Sequence, residues 1–268
     1  MLSAIRTWFG FQRRLSRELL KSNSLSRVAY IVAMNTLGQR KLVQVQLDGH
    51  LLNVRTATPD LFVALETLGS EFQMLASLEF EQVPAFIVDA GGYIGTASIA
   101  LKSLFPHSTI VTIEPSSTNF EVLRKNIEPY ENIHAINAAL VEDEALEEIY
   151  LVDSVTGPWG FEISDTPGQN AEVVKTVTFA KIMKQFDVSR VQICKMDIEG
   201  AELELLENPG SWLDHTDVLA IELHERKRNG IDQAFRNANR KRFALPLPGE
   251  KVLSLSYRYL AELADAAK

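Results

Sequence analysis

Cysteine is almost absent: Cys194 is the only one in 268 residues. A single thiol forms no internal disulfide and no cysteine-built zinc site. Such usage suits a reducing compartment, so a cytoplasmic location is expected. Long apolar runs are missing too. No segment approaches the roughly 18 to 20 apolar residues that a membrane-spanning helix needs. No apolar stretch ahead of a small-residue cleavage site marks a secretory signal near the start. Positive charge is scarce over most of the chain. Residues 1–41 carry eight Lys or Arg and one acid, Glu18, whereas the other 227 carry 19 bases and 34 acids. An enzyme that works on nucleic acid is more often basic over its body, so a small-molecule acceptor is expected and a nucleic acid is not.

What is present is ordinary for a globular chain able to bury a full core, with 46% hydrophobic and 23% charged residues. Residues 1–82 read as an N-terminal helical and β-hairpin extension. Over residues 1–28, Ile5, Trp8, Phe9, Leu15, Leu19 and Leu20 interleave with arginines, a basic amphipathic pattern. Such a helix can lie on an anionic membrane; packing on the body or a homodimer contact is the plainer reading. "VQVQLDGHLLNVR" reads as a hairpin turning at Asp48 and Gly49, and a helix is expected from Pro59 and Asp60 to about Leu78.

From residue 83 to 268 strands alternate with helices. "FIVDA", "TIVTIEP", "IHAINAAL", "VQICKMDI", "DVLAIELH", "RFALPL" and "KVLSLSY" are seven candidate strands. Continuous apolar runs of this length suit strands buried on both faces. The expected fold is α/β, a doubly wound, mostly parallel, seven-stranded Rossmann-like sheet. A turn-rich segment at about 142–180, carrying Trp159, interrupts the alternation and is expected to form a lid over a site.

"VDAGGYIG" joins the first strand of that sheet to its helix. The glycines are Gly91, Gly92 and Gly95, which is not the G-x-G-x-x-G spacing of a dinucleotide loop. Asp89 stands at the mouth of the loop and would repel a pyrophosphate. S-adenosylmethionine fits better, since it has no phosphate and carries an ammonium and a ribose diol. Asp89 could answer the ammonium, directly or through water, and Gly91 could let the backbone approach. Glu114, at the end of the second strand, could accept both ribose hydroxyls. Asn137 and Ala138 close the third strand where an adenine edge would lie.

These pieces give the chain its resemblance to the FkbM-type methyltransferases. It is carried by "LLNVRTATPDLF", "VDAGGYIG", "IEP", "INAAL", "KMDIEGAE" and "IELH", in that order, over roughly residues 45–224. The resemblance implies a class I fold, S-adenosylmethionine as cofactor, and methylation of hydroxyl oxygens on sugars or sugar-like natural products. Two departures stand out. The family's loop reads closer to G-A-N-I-G, where this chain has Gly92 and Tyr93. Its T-L-D stretch is here Thr178, Phe179 and Ala180, which lacks the acid.

An alcohol needs its proton removed as the new bond forms, and a histidine at a strand end suits that role. His224 is the expected base, Asp197 orients the acceptor hydroxyl, and Lys195 fixes Asp197 or the acceptor. Trp159, Glu199 and Glu222 are expected on the acceptor side. Asp197, Glu199, Glu222 and His224 could gather around a divalent ion such as magnesium, but the sequence does not bring them together, and no metal is expected. The basic stretch 226–242 could hold an anionic acceptor, although a solvated helix face suits it better. The expected activity is O-methyl transfer to a sugar or glycosylated metabolite. The alternatives are N-methyl transfer on the same scaffold and a non-catalytic module that kept the fold.

Overall fold

A computed structural model describes residues 10, 13–78, 80, 85–153, 161–164 and 171–266. Helix α1 (13–20) and helix α2 (Leu25–Thr36) open it. Ser24 caps α2 by accepting a hydrogen bond from the Arg27 N–H at 3.3 Å. The apolar stripe of this pair, Leu15, Leu19, Val28 and Ile31, is buried in one cluster with Val45, Leu47, Leu52 and Val54. Leu15 and Leu19 of the expected amphipathic stripe are thus packed against protein, whereas Leu20 is 46% exposed and Ile5, Trp8 and Phe9 lie outside the described residues.

Strands β1 (Leu42–Leu47) and β2 (His50–Arg55) form the expected hairpin. Asp48 and Gly49 take φ values of 48° and 83°, and Leu47 pairs with His50 across them. Two consecutive left-handed residues match the twist of the flanking strands. Helix α3 (Asp60–Glu66) then begins where expected but does not run to Leu78. It widens into a π-turn over Thr67–Glu71 and tightens to a 3-10 turn over Gln73–Ser77. Gly69 and Ser70 are weak helix formers, and the wider turn leaves Glu71 lining the cavity described below.

The main body follows as β3 (Phe86–Ala90), α4 (Thr96–Leu104), β4 (Thr109–Ile113), α5 (Ser117–Ile127), β5 (Ile133–Ile136), β6 (Ala139–Leu140), β7 (Glu148–Asp153), β8 (Phe161–Ser164), β9 (Glu172–Val177), α6 (Phe179–Gln185), β10 (Val191–Met196), α7 (Glu202–Glu207), β11 (Thr216–Glu222), α8 (Ile231–Ala238), β12 (Arg242–Pro246), β13 (Lys251–Ser256) and α9 (Tyr257–Ala266). The seven-stranded sheet has the order β12-β13-β11-β10-β3-β4-β5. β13 runs antiparallel to both its neighbours, and the other pairings are parallel. All seven expected strands are in it, and β3 and β10 are buried along their whole length. The pleat sends Ile87, Ile110, Ile193 and Val218 into the core that includes α4. Val88, Val111, Cys194 and Leu219 enter the core on the other face.

One expected strand is divided. "IHAINAAL" breaks at Asn137, whose amide donates to the carbonyls of Glu114 (2.8 Å) and Pro115 (3.0 Å). Its first half stays in the main sheet as β5, and its second half, β6, enters a separate sheet of order β6-β9-β7-β8. The 142–180 excursion is thus largely this small sheet. Thr178 caps α6 by accepting from the Lys181 N–H at 3.2 Å.

Candidate active site

The strand order reverses between β3 and β10, so the carboxyl ends of these two strands open a crevice. Gly91 has a φ of 81°, and a β-carbon there would lie 1.8 Å from the Asp197 carbonyl oxygen, so only glycine fits. At Gly92 a β-carbon would meet the Thr112 hydroxyl at 2.2 Å, and at Gly95 the Ile127 side chain at 3.1 Å. The loop spends its N–H groups internally. Gly91 and Gly92 both donate to the Ile113 carbonyl, Tyr93 to Glu114, and Gly95 to the Gly92 carbonyl.

Asp89 lies at the end of β3, in register with Thr112 of β4 and Lys195 of β10. Parallel neighbours in register put their side chains on one face, and the three meet. Asp89 accepts from Ser98 (2.6 Å) and Thr112 (3.3 Å), and its other oxygen lies 3.3 Å from Lys195 Nζ. It is fully buried and is not among the residues lining the crevice, which corrects the expected ligand contact. Lys195 keeps the expected Asp197 within ion-pair range and has a further partner. It donates to the Gly91 carbonyl at 2.7 Å, while Asp197 stands 3.9 Å away. Burial would lower its pKa, but Asp89, Asp197 and Glu71 together hold it above the ordinary lysine value. Lys195 staples the glycine loop to the sheet, with Asp89 as its counter-ion.

The crevice is a cavity of about 790 Å³, inside the roughly 300 to 1,000 Å³ usual for small-molecule sites. Glu114 lines one end. Its carboxylate accepts from the Tyr93 N–H (2.9 Å), the Ser116 N–H (3.0 Å) and the Asn119 amide (3.2 Å). Burial pushes its pKa up to about 7 against the pull of those donors. The third-strand contact is displaced by the break described above: Ala139 and Leu140 line the cavity in place of Asn137 and Ala138.

The other end is acidic. His224 is 2% exposed, and its Nδ1 lies 2.8 Å from Glu202. Glu202 is itself fixed by the N–H groups of Ile198 (3.0 Å) and Gly200 (2.8 Å). His224 Nε2 faces Glu199 at 3.5 Å, Asp197 at 3.6 Å and Glu222 at 3.8 Å. Burial would lower the imidazole pKa, but Glu202, Asp197 and Glu199 outweigh it and hold it at about 9. A ring that keeps its proton at neutral pH has no lone pair to offer, so the expected role of general base does not fit this environment.

The structure brings together Lys195, Asp197, Glu199, Glu222, His224, Glu114 and the glycines. Trp159 lies outside the described residues. Of the basic stretch, Lys227 and Arg226 reach the cavity lining, paired with Glu199 and Glu250, whereas Arg228 pairs with Glu204 and Arg242 donates to the Leu213 and Thr216 carbonyls. Sequence reasoning missed one buried thread. Arg55 bridges Asp60 (2.8 and 2.9 Å) and Asn119 (2.9 Å), while the Tyr93 hydroxyl donates to Asp60 at 2.6 Å. Tyr93, where the family has asparagine, thereby ties the hairpin region to the Glu114 wall. Arg55 and Asp60 both stand in "LLNVRTATPDLF", a signal visible in the sequence without its role.

A parallel sheet that reverses its order beside a glycine loop, and that ends in one antiparallel strand slotted between β11 and β12, is the class I methyltransferase fold. The chain belongs to the family described as Methyltransferase FkbM domain, whose model matches residues 89–243, more than half of its length. This is a family of S-adenosylmethionine-dependent methyltransferases. The chain is 28% identical over 165 residues to Methyltransferase 1 of Beauveria bassiana (strain ARSEF 2860), covering 53% of this chain and 66% of that protein. It thus spans just under two thirds of that relative's length. Among solved structures, precorrin-6y C5,15-methyltransferase from Geobacter metallireducens aligns with a TM-score of 0.41 at 11% identity, over 81% of this chain and 97% of that one. TYW2 of M. jannaschii, solved with AdoMet, aligns with a TM-score of 0.40 at 13% identity, over 81% and 86%. Among the described residues no helix is long and apolar enough to cross a membrane.

Proposed function

We propose that the chain is an O-methyltransferase that moves the methyl group of S-adenosylmethionine to a hydroxyl of an uncharged, sugar-bearing small molecule. The observation that carries the cofactor half is the glycine loop. Its N–H groups at residues 91, 92, 93 and 95 are spent on Ile113, Glu114 and Gly92, and its one cation, Lys195, is turned to backbone carbonyls. At those four positions no N–H is left for a pyrophosphate, whereas a ribose hydroxyl finds Glu114. That carboxylate accepts three hydrogen bonds, and a carboxylate offers about four lone-pair sites, so one is left for a ribose hydroxyl.

S-adenosylmethionine, when bound, supplies a methyl group on a sulfonium leaving group. The chain's own task is alignment, and holding two reactants in line is worth about 7 to 11 kcal/mol. Glu114 takes the ribose, Gly91 and Gly92 let the methionyl part approach, and Ala139 with Leu140 flank the base. Asp89 and Lys195 act behind the loop. Asp197, Glu199, Glu222 and His224 face the acceptor, whose hydroxyl proton leaves into this acidic edge. Phe62 and Phe72, also in the cavity lining, offer apolar surface of the kind a sugar ring packs on. The carboxylates disfavour an anionic acceptor such as a nucleotide-linked sugar. The 142–180 excursion, which puts Leu151 on the cavity, serves as its cover, and residues 1–82 form an extension that completes the opposite wall.

Calorimetry with S-adenosylhomocysteine tests the cofactor half, and saturable binding is expected. No heat at roughly millimolar ligand, where binding free energy is only about 4 kcal/mol, would remove it. Labelled cofactor presented with a panel of neutral glycosides and their anionic counterparts tests the acceptor half. Preferential labelling of the anionic members would refute it.

A further inference from the structure

We propose that Asp197, Glu199 and His224, with Glu222 beside them, form a divalent-cation site that holds the acceptor hydroxyl oxygen. The cation site stands on its own geometry, whereas its use to hold an acceptor rests on the methyltransferase reading.

One ligand atom from each of Asp197, Glu199 and His224 can be chosen so that all three lie within 4.8 Å of one another. Two ligands on one ion with bonds of about 2.1 to 2.4 Å are at most about 4.2 to 4.8 Å apart. A single cation can therefore reach all three. The imidazole supplies an independent pointer. His224 is almost completely buried, and its Nδ1 faces a carboxylate that only accepts, so Nδ1 carries the proton and donates it. Its remaining nitrogen is directed at three carboxylate oxygens, at 3.5, 3.6 and 3.8 Å. None is at the roughly 2.7 to 3.2 Å of an N–H···O hydrogen bond. A nitrogen set among three anions calls for positive charge, and a metal ion can take the place that the ring's second proton otherwise fills.

A histidine ligand usually donates its other ring N–H to a carboxylate, which fixes the tautomer. Glu202 does this here, and it is itself held by two backbone N–H groups. The charge balance agrees. Lys195 is matched by Asp89, Lys251 by Glu71 and Lys227 by Glu199, which leaves Asp197, Glu202 and Glu222 around one imidazole. A dication answers two of those charges. One nitrogen with two or three carboxylate oxygens suits an ion of the manganese or magnesium kind, with water or an acceptor oxygen in its open positions. The cluster lines the same cavity as Glu114, so an acceptor held there faces the cofactor wall.

Mn²⁺ is the probe. Titration of the whole chain, followed by the paramagnetic resonance of free Mn²⁺, should show one saturable site. Asp197→Asn and Glu199→Gln should each weaken it by at least about tenfold. Pulsed resonance of the bound ion in the unmodified chain should show coupling to a histidine nitrogen, a readout that needs no variant to fold. No saturation at roughly millimolar metal, unchanged affinity in both variants, or no nitrogen coupling would each overturn the site. S-adenosylhomocysteine calorimetry on the same sample separates the two readings. Mn²⁺ binding without it keeps the cation site and removes the methyltransferase; the reverse removes only the cation site.

Discussion

Glu114 offers the sharpest test, because one group ties cofactor affinity and stability to pH with opposite signs. Burial raises its pKa from 4.5 to about 7 in the ligand-free fold. A ribose hydroxyl is a donor, so the ionised form binds it and the protonated form loses an acceptor. With a pKa of about 7, the ionised fraction is about nine-tenths at pH 8 and about one-tenth at pH 6. Affinity for S-adenosylhomocysteine should therefore fall about tenfold from pH 8 to pH 6. Stability runs the other way. A folded pKa above the unfolded value means that the contribution of Glu114 is complete below about 4.5 and is lost as pH rises toward 7. The ligand-free protein should thus lose stability across the interval that precedes its gain in affinity. Glu114→Gln should remove the affinity slope and weaken binding at pH 8 by about 1 to 3 kcal/mol, the penalty of mismatching buried donors. Calorimetry at pH 6, 7 and 8 on both proteins reads this directly. A flat profile in the unmodified protein, or an equal slope in the variant, would refute the reasoning.

Other expectations concern what stands behind the cavity. Lys195→Met leaves the fully buried Asp89 without its cation and should lower stability in urea by about 3 to 5 kcal/mol; Asp89→Asn in the same chain should recover part of it, and a Lys195→Met protein as stable as the parent would contradict the pairing. Tyr93→Phe removes one hydrogen bond to Asp60, so a loss of about 1 to 2 kcal/mol is expected in urea, together with weaker S-adenosylhomocysteine binding. Unchanged affinity would separate the thread from the Glu114 wall. Removal of residues 1–28 deletes Leu15, Leu19 and Val28 from the core, each worth about 1.5 to 3 kcal/mol. The sum rivals the stability of a whole domain, so a thermal midpoint equal to that of the full chain would refute a structural role for the segment.

The strands were legible because buried parallel strands leave a trace, short and largely apolar runs with a polar residue at or near the end. Asp89, Glu114 and Asp197 were found by the same logic, as the polar closures. What they touch was not legible. Asp89 meets Thr112 and Lys195 through sheet register, and the partners are 23 and 106 residues away. A strand end locates a side chain but does not say whether it faces the cavity or the helix behind it. His224 was marked as a base from its residue type, while the fold surrounds it with Asp197 and Glu199 from the loop after β10, Glu202 from the start of α7 and Glu222 from the end of β11. The break at Asn137 was hidden because "IHAINAAL" stays apolar through it; only the bonds to the Glu114 and Pro115 carbonyls end the strand. Tyr93 was visible as a departure from the family pattern, but its partner Asp60 lies 33 residues upstream, in a segment with no role attached.

Cys194 sits in mid-strand in β10, wholly enclosed, with burial pushing its thiol far above the ordinary range. A maleimide meets no sulfur that can react until the central sheet parts, so consumption of reagent by the unmodified chain clocks opening events. The same enclosure gives a clean background for labelling. Val173 of the small sheet is 55% exposed, and a dye on Val173→Cys would report from that sheet with no second position competing for it.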